Sequence, residues 1–464
     1  MTPTMDDRGF SVRGKRVIVV GAARSGIAAA ELLMRRGADV TLSDVRRQIE
    51  DEARLRSSGV ALELGAHQIG TFVDADLIVL SPGVPMDQPA IAAARDAGVA
   101  IIGELELASR WLRGRVVAIT GTKGKSTTTT LTGRMLEAGG HKVLVGGNIG
   151  HALSAQVEQS TEDTIHVVET SSFQLESIET FHPWVAVLLN FSPDHLDRHA
   201  SVAEYASAKA KIFVNQTPAD WAVLNADDPA VVALASGTAA RRLFFSMQGD
   251  LTEGLVVHSG AIVRRTAAGD EPLVRLDSIR LIGRHLHADV VAACAVAGLA
   301  GVDAQAMTRV IESFTGLEHA LEPVGQIGGV QFVNDSKATN IEAARRAIEA
   351  FEFGLVVIMG GRFKGGDFRD LAAPLEARQA TVVAIGEARP LIREAFGDRI
   401  AVLDADDMPS AVRKAFAAAP PGGAVVLAPA CASFDMFRDY AERGRVFKQE
   451  MARLESEWNV TREQ

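Results

Sequence analysis

The chain has 464 residues, 47% of them hydrophobic and 23% charged, and carries a formal net charge of −10. Such a length exceeds one ordinary hydrophobic core and predicts about three domains of roughly 100 to 200 residues each. The acidic balance argues against broad non-specific binding to nucleic acid or an anionic membrane, and the two cysteines, Cys294 and Cys431, form no Cys-x-x-Cys pair that would support a disulfide framework or a zinc site. The start, "MTPTMDDRGFSVRGKR", has no signal-type apolar core, and no later run of about 18 apolar residues would span a membrane. The expectation is a cytoplasmic enzyme without membrane insertion.

Along the chain, short apolar runs ("RVIVV", "LIVL", "VVAI", "HVVE", "VAVLLN", "LVVIMG", "TVVAI", "AVVLA") alternate with Ala/Leu/Arg-rich helical stretches. Strands that are apolar throughout, separated by helices, predict the α/β class with parallel sheets covered on both faces. The pattern restarts near Arg113 and near Gly316, which divides the chain into 1–112, 113–316 and 317–464. The stretch 220–281 is more turn-rich and predicts extra antiparallel strands within the middle segment. The first and last segments read as Rossmann-like, and the middle one as a P-loop ATPase-type sheet.

In the first segment, "KRVIVVGAARSGIAAAELLMRRGADVTLSD" reads strand, tight turn, helix, strand. Gly21 and Gly26 match the outer glycines of G-x-G-x-x-G, and Asp44 ends the second strand where a ribose hydroxyl would be met. The middle glycine is Ala23, which weakens a nicotinamide-dinucleotide reading and leaves open either a phosphate at the helix start or a turn with no ligand. A second turn, "LSPGVP", presents Ser81 and Gly83 after another apolar strand.

The middle segment opens with "VVAITGTKGKSTTTT". Gly121 and Gly124 free the backbone N–H groups to point inward, Lys125 can reach outer phosphates, and Ser126 offers a hydroxyl to Mg²⁺. The spacing departs from G-x-x-x-x-G-K-[ST], because Ile119 stands where the first glycine belongs. Mg²⁺ also calls for a carboxylate at a neighbouring strand end, and Glu169 of "IHVVETSSFQLE" is such a group. "NFSPDHLDRH" adds Asp194, His195, Asp197 and His199 after a further strand. In the last segment, "VQFVNDSKATNIEAARRAI" puts Lys337 and Thr339 at a turn before a helix, a setting suited to an anionic ligand.

Taken in order, "GTKGKST", "GGNIG", "ETSSFQLE", "NFSPDHLDRH", "NDSKATN" and "APACASFDMF" resemble the motifs of the Mur ligase family over essentially the whole chain. The resemblance implies an ATP-dependent acid–amino-acid ligase that adds D-glutamate to UDP-N-acetylmuramoyl-L-alanine through an acyl phosphate, in peptidoglycan precursor synthesis. A related Mur-type or folylpolyglutamate-type ligase adding another amino acid, such as L-glutamate, is the alternative. It further implies that Gly121, Thr122, Lys123, Gly124, Lys125, Ser126 and Thr127 hold ATP, with Asp289 and Asp335 also at the nucleotide. Two Mg²⁺ ions would be held by Ser126, Glu169, His195 and a carbamylated Lys209; Lys125, His195 and Lys209 would serve the chemistry. The UDP substrate would meet Arg24, Ser25, Asp44, Arg46, Ser81, Gly83, Asn148, Ser171 and Gln174, and the amino acid Lys337, Thr339, Lys364 and Ser433. A monomer is expected. This sequence departs from the family pattern at Ala320, where an arginine is usual after His319, and in "GRHLHAD", where Leu286 and Asp289 replace the usual residues.

Overall fold

The computed structural model describes residues 9–49, 51–194, 198–249, 251–283 and 285–463. The chain separates into two compact units, one comprising Met1–Ser278 and Ala288–Ile311, the other Ile279–His287 and Glu312–Gln464.

The first unit contains two sheets. One has five parallel strands in the spatial order Ala61–Leu64, Asp39–Asp44, Arg16–Val20, Leu77–Leu80 and Ala100–Gly103. The other has nine, in the order Gly269–Arg275, Ala261–Thr266, Gly254–His258, Arg241–Ser246, Trp221–Asn225, Val185–Leu188, Arg115–Thr120, Thr164–Glu169 and Lys142–Gly147. Its central strands are parallel and buried on both faces, as their unbroken apolar text requires. The strands Gly254–His258, Ala261–Thr266 and Gly269–Arg275 pair antiparallel, in the region where the sequence predicts them. Polar alternation lets these outer strands face water on one side.

A single apolar cluster runs through both sheets, from Val17 and Leu33 through Leu105 and Trp111 to Ala118 and Phe181. Glu106 fastens the same junction: its buried carboxylate accepts from the N–H groups of Glu179, Thr180 and Phe181 at 2.8–3.0 Å. Four strand ends of the large sheet, at Thr120, Glu169, Leu188 and Gly147, open on one edge, the edge at which parallel sheets bind ligands.

The second unit has a six-stranded sheet in the order Glu322–Ile327, Val330–Asn334, Ala424–Leu427, Leu355–Gly360, Thr381–Ile385 and Val402–Asp404, with only the first pair antiparallel. Apolar clusters cover both faces, one around Ile348, Leu375 and Phe396, the other around Phe332, Val412 and Phe447. The helix Tyr440–Glu463 supplies Phe447 and Met451 to the latter. Among the described residues no helix is long and apolar enough to cross a membrane.

Candidate active site

The strand Arg115–Thr120 runs into a loop at Gly121 and then into the helix Lys125–Ala138. Gly121 (φ 154°) and Gly124 (φ 81°) both occupy the region that favours glycine. A Cβ on Gly124 would lie 2.0 Å from Asp289 Oδ1, so the loop backbone packs directly on the Asp289 carboxyl. Asp289 is buried, and burial raises its carboxyl to about 7 against the opposing charge of Lys125. Asn190 fixes the loop: its Oδ1 accepts from Thr122 N (3.1 Å) and Lys123 N (2.9 Å), and its Nδ2 donates to Lys123 O (3.1 Å). Asn190 is not among the sequence-predicted site residues, although an asparagine directly after the strand text "VAVLL" is a readable signal.

Lys125 Nζ donates to the carbonyls of Gly121 (3.0 Å) and Thr122 (2.9 Å), and Lys209 Nζ donates to the same Gly121 carbonyl at 2.7 Å. Lys209 is only 2% exposed. Burial and, after it, the charge of Lys125 lower its amine to about 7, while Asp194 and Glu169 pull the other way. Two lysines therefore converge on one carbonyl. Beside them Ser126 Oγ donates to Glu169 Oε2 at 2.7 Å, and Asn148 Nδ2 donates to Glu169 Oε1 at 2.7 Å. Lys123 pairs with Asp194 at 3.3 Å, and Thr127 lies in the first helical turn. His195 and Asp197 lie outside the described residues. His199 is buried between Ser172 Oγ (2.9 Å) and Glu176 Oε1 (3.1 Å) and stacks on Phe173.

Among the described residues no cluster of three or more His, Cys, Asp or Glu is arranged for a metal. The adjacent oxygens of Ser126 and Glu169 nonetheless suit Mg²⁺, a hard ion that commonly takes one or two carboxylates and completes its shell with water and substrate phosphate.

At the first-sheet turn Asp44 and Ser81 already have protein partners. Asp44 Oδ2 accepts from Ala22 N (2.6 Å), and the carboxylate also takes Arg46 through its backbone N–H and guanidinium at 2.8–2.9 Å. The Arg46 guanidinium is the chief reason the carboxyl drops to about 2. Ser81 Oγ donates to Gly21 O at 2.8 Å. Arg24 and Ser25 open the helix Arg24–Arg35, whose N-cap, Ala23, has no side chain to cap it. Gly83 O accepts from Arg198, which also reaches Val84 O and lies over the Phe173 ring. A cleft lined by Ser81, Val84, Glu104, Gln174 and Arg198 joins this turn to the helix Ser172–Glu176. Ser171 and Gln174 form a reciprocal cap there, while Gln174 Nε2, buried, has no hydrogen-bond partner among the described residues.

In the second unit three loops converge. Ala430 N donates to Ala338 O (2.9 Å), Arg362 and Ala432 exchange backbone bonds at 2.9 and 3.0 Å, and Lys364 Nζ reaches Thr339 Oγ1 at 3.2 Å. Lys337 N bonds His319 O, and Ser433 is buried beside them. His319 Nδ1 faces Asn334 Nδ2 at 2.8 Å, an acceptor role that matches a neutral ring, and burial lowers its pKa. Asp335 Oδ1 accepts from Leu321 N (3.2 Å), and burial raises its carboxyl to about 7.

Three family models match the chain: the Mur ligase MurD-like N-terminal domain over residues 15–103, the Mur ligase middle domain over 119–297, and the Mur ligase glutamate ligase domain over 321–431. The UDP-N-acetylmuramoylalanine–D-glutamate ligase of Acidobacterium capsulatum is 47% identical over 444 residues, which cover 95% of this chain and 96% of that protein. The chain belongs to the Mur ligase family. The same-named ligase of Koribacter versatilis is 43% identical over 447 residues, covering 95% of this Mur ligase and 98% of its relative. Among solved structures, the fold matches UDP-N-acetylmuramate–alanine ligase of Thermotoga maritima (TM-score 0.59, 19% identity, 94% of this chain and 99% of that one). It also matches a MurF ligase of Thermotoga maritima in complex with ADP (TM-score 0.56, 18% identity, 97% of each chain).

Proposed function

We propose that this Mur ligase uses ATP to join D-glutamate to the alanyl carboxylate of UDP-N-acetylmuramoyl-L-alanine, a step of peptidoglycan precursor synthesis. The observation that carries the reading is the 47% identity, over nearly all of both chains, to a D-glutamate ligase. In this reading segment 1–112 binds the UDP group, 113–316 binds ATP and 317–464 binds the amino acid, in a cytoplasmic monomer.

The substrate carboxylate attacks the γ-phosphorus of ATP, the bridging P–O bond breaks and ADP leaves. The glutamate amine then adds to the acyl carbon, loses a proton, and expels phosphate. Two anions must meet in the first step, so cationic side chains are required. Lys125 turns from the Gly121 and Thr122 carbonyls to the transferring phosphate, with the N–H groups of Gly121 to Thr127 around it. Mg²⁺, when bound, neutralises the phosphate oxygens that the carboxylate approaches. Ser126 and Glu169 would hold the first ion, and His195 and Lys209 the second, with Lys209 as a carbamate. A lysine near 7 keeps much of its amine neutral at physiological pH, the form that adds CO₂ with loss of a proton.

Asp44 and Arg46 meet the uracil end, Arg24, Ser25, Ser81 and Gly83 the diphosphate, and Asn148, Ser171 and Gln174 the sugar-peptide portion. Asp289 and Asp335 serve the nucleotide. Lys337, Thr339, Lys364 and Ser433 receive the carboxylates of glutamate. The test is ligation with D- and L-glutamate supplied separately: product and ADP release with the D form alone support the reading, and equal or preferential use of the L form overturns it.

A further inference from the structure

Arg443, on the helix Tyr440–Glu463, is 1% exposed and among the largest fully buried side chains. Its Nε donates to Ser336 Oγ (2.9 Å), its Nη2 to Ser336 O (2.8 Å) and its Nη1 to Cys431 O (3.1 Å). Among the described residues no carboxylate hydrogen-bonds it. Ser336 Oγ in turn donates to Tyr440 O at 2.7 Å, which closes the ring back on the helix start.

A third loop touches the same group. A Cβ on Gly361 (φ 129°) would lie 2.3 Å from Ala432 O and 3.3 Å from Arg443 Nη1, so glycine is required here by the Ala432 backbone, and the loop it sits in packs close to the guanidinium. The next residue along the helix, Gly444, allows an equally close approach, because its Cβ would fall 2.3 Å from His319 Nδ1. One planar fork thus holds Ser336 and Cys431 and packs on Gly361. Ser336 immediately precedes Lys337, Cys431 stands two residues before Ser433, and Gly361 three before Lys364. A lysine offers three donors from a single point and cannot span the same partners. Burying a charge without a hydrogen-bonded carboxylate is costly; Asp435 attracts the guanidinium without bonding it, and backbone carbonyls and one hydroxyl replace its water.

We propose that Arg443 is a positioning residue for the amino-acid site, setting the spacing of the three loops that carry Lys337, Thr339, Lys364 and Ser433 and hence their fit to a dicarboxylic amino acid. The inference rests on the reading of those four residues as the glutamate site. It is tested by steady-state titrations of full-length Arg443→Lys and Arg443→Met, with melting curves and with hydroxylamine capture of the acyl phosphate, which needs no amino acid. The expected result is a rise in the apparent KM for D-glutamate of about 10-fold or more, the scale set by misplacement of positioning groups. The KM for the UDP substrate should stay within about 2-fold and hydroxamate formation should persist, since the first unit holds the groups assigned to them, and the KM for ATP, which Asp335 beside Ser336 also serves, should rise far less than that for D-glutamate. A folded variant with unchanged KM for D-glutamate, or with all three KM values raised together, overturns the proposal. If Arg443→Met does not fold, Arg443→Lys decides; if that also fails to fold, the role is structural and the proposal falls. Wild-type protein that forms hydroxamate but makes no product with D-glutamate removes the functional reading, and this inference with it.

Discussion

The first unit contains two strand–glycine-turn–helix elements of similar shape, at Gly21–Gly26 and Gly121–Gly124, and they differ in what already fills them. At the first turn the protein supplies its own partners: Asp44 takes Ala22 N and Ser81 takes Gly21 O. At the second, two lysines crowd one carbonyl, and burial first, with the charge of Lys125 after it, lowers Lys209 to about 7. In both places a parallel strand runs through glycine into a helix N-terminus. Side-chain electrostatics decide which turn gains most from a phosphate, because a polyanion relieves the like-charge strain only at the second.

The two turns differ most sharply at Lys125. Lys125→Ala is expected to lower kcat by about 10³-fold, the scale of losing a principal transition-state electrostatic group, with the melting temperature little changed; a change below 10-fold would remove the loop from the chemistry. Lys209→Arg keeps charge but cannot carry a carbamate, and should cost roughly 10²-fold in kcat. In wild type, activation by added bicarbonate should grow as pH rises through about 7, because the neutral amine is the reactive form. Bicarbonate-independent activity over that range would count against carbamylation.

Gly124→Ala should raise the KM for ATP by about 10-fold, since a left-handed non-glycine residue costs roughly 1–2 kcal/mol and its Cβ meets Asp289. The KM for the UDP substrate should not follow it. Asp44→Asn addresses the other turn. The depressed carboxyl contributes stability above its unfolded pKa that is lost as pH falls toward about 2, so the variant should be less stable at pH 7 by about 2 kcal/mol and should converge on wild type in acid. Chemical denaturation at both pH values checks it. Ser81→Ala, which removes one neutral hydrogen bond to Gly21 O, should cost only about 1 kcal/mol and leave the KM for ATP untouched.

Much of the fold is legible in the sequence because parallel strands buried on both faces leave continuous apolar text, as in "VVAIT" and "LVVIMG". The phosphate loop is legible for a similar reason, since Gly121, Gly124, Lys125 and Ser126 are adjacent in the chain. What the sequence conceals is long-range pairing of polar groups. Arg443 reads as one more basic residue in "ERGRVF", and only the folded chain puts it between Ser336 and Cys431. Glu106 likewise reads as a surface acid of "GELELAS", yet it is fully buried at the junction of two sheets. Asp44 was legible as a strand-end acid, but its partners Ala22 and Arg46 depend on how the turn folds back.

The Gly121–Ser126 loop is proposed to serve carboxylate activation by ATP. Its most direct test uses UDP-N-acetylmuramoyl-L-alanine with heavy oxygen in the alanyl carboxylate. If the carboxylate attacks phosphorus, one labelled oxygen passes to inorganic phosphate at each turnover with D-glutamate. Product formed with no label in the phosphate would contradict an acyl phosphate and the role given to the loop.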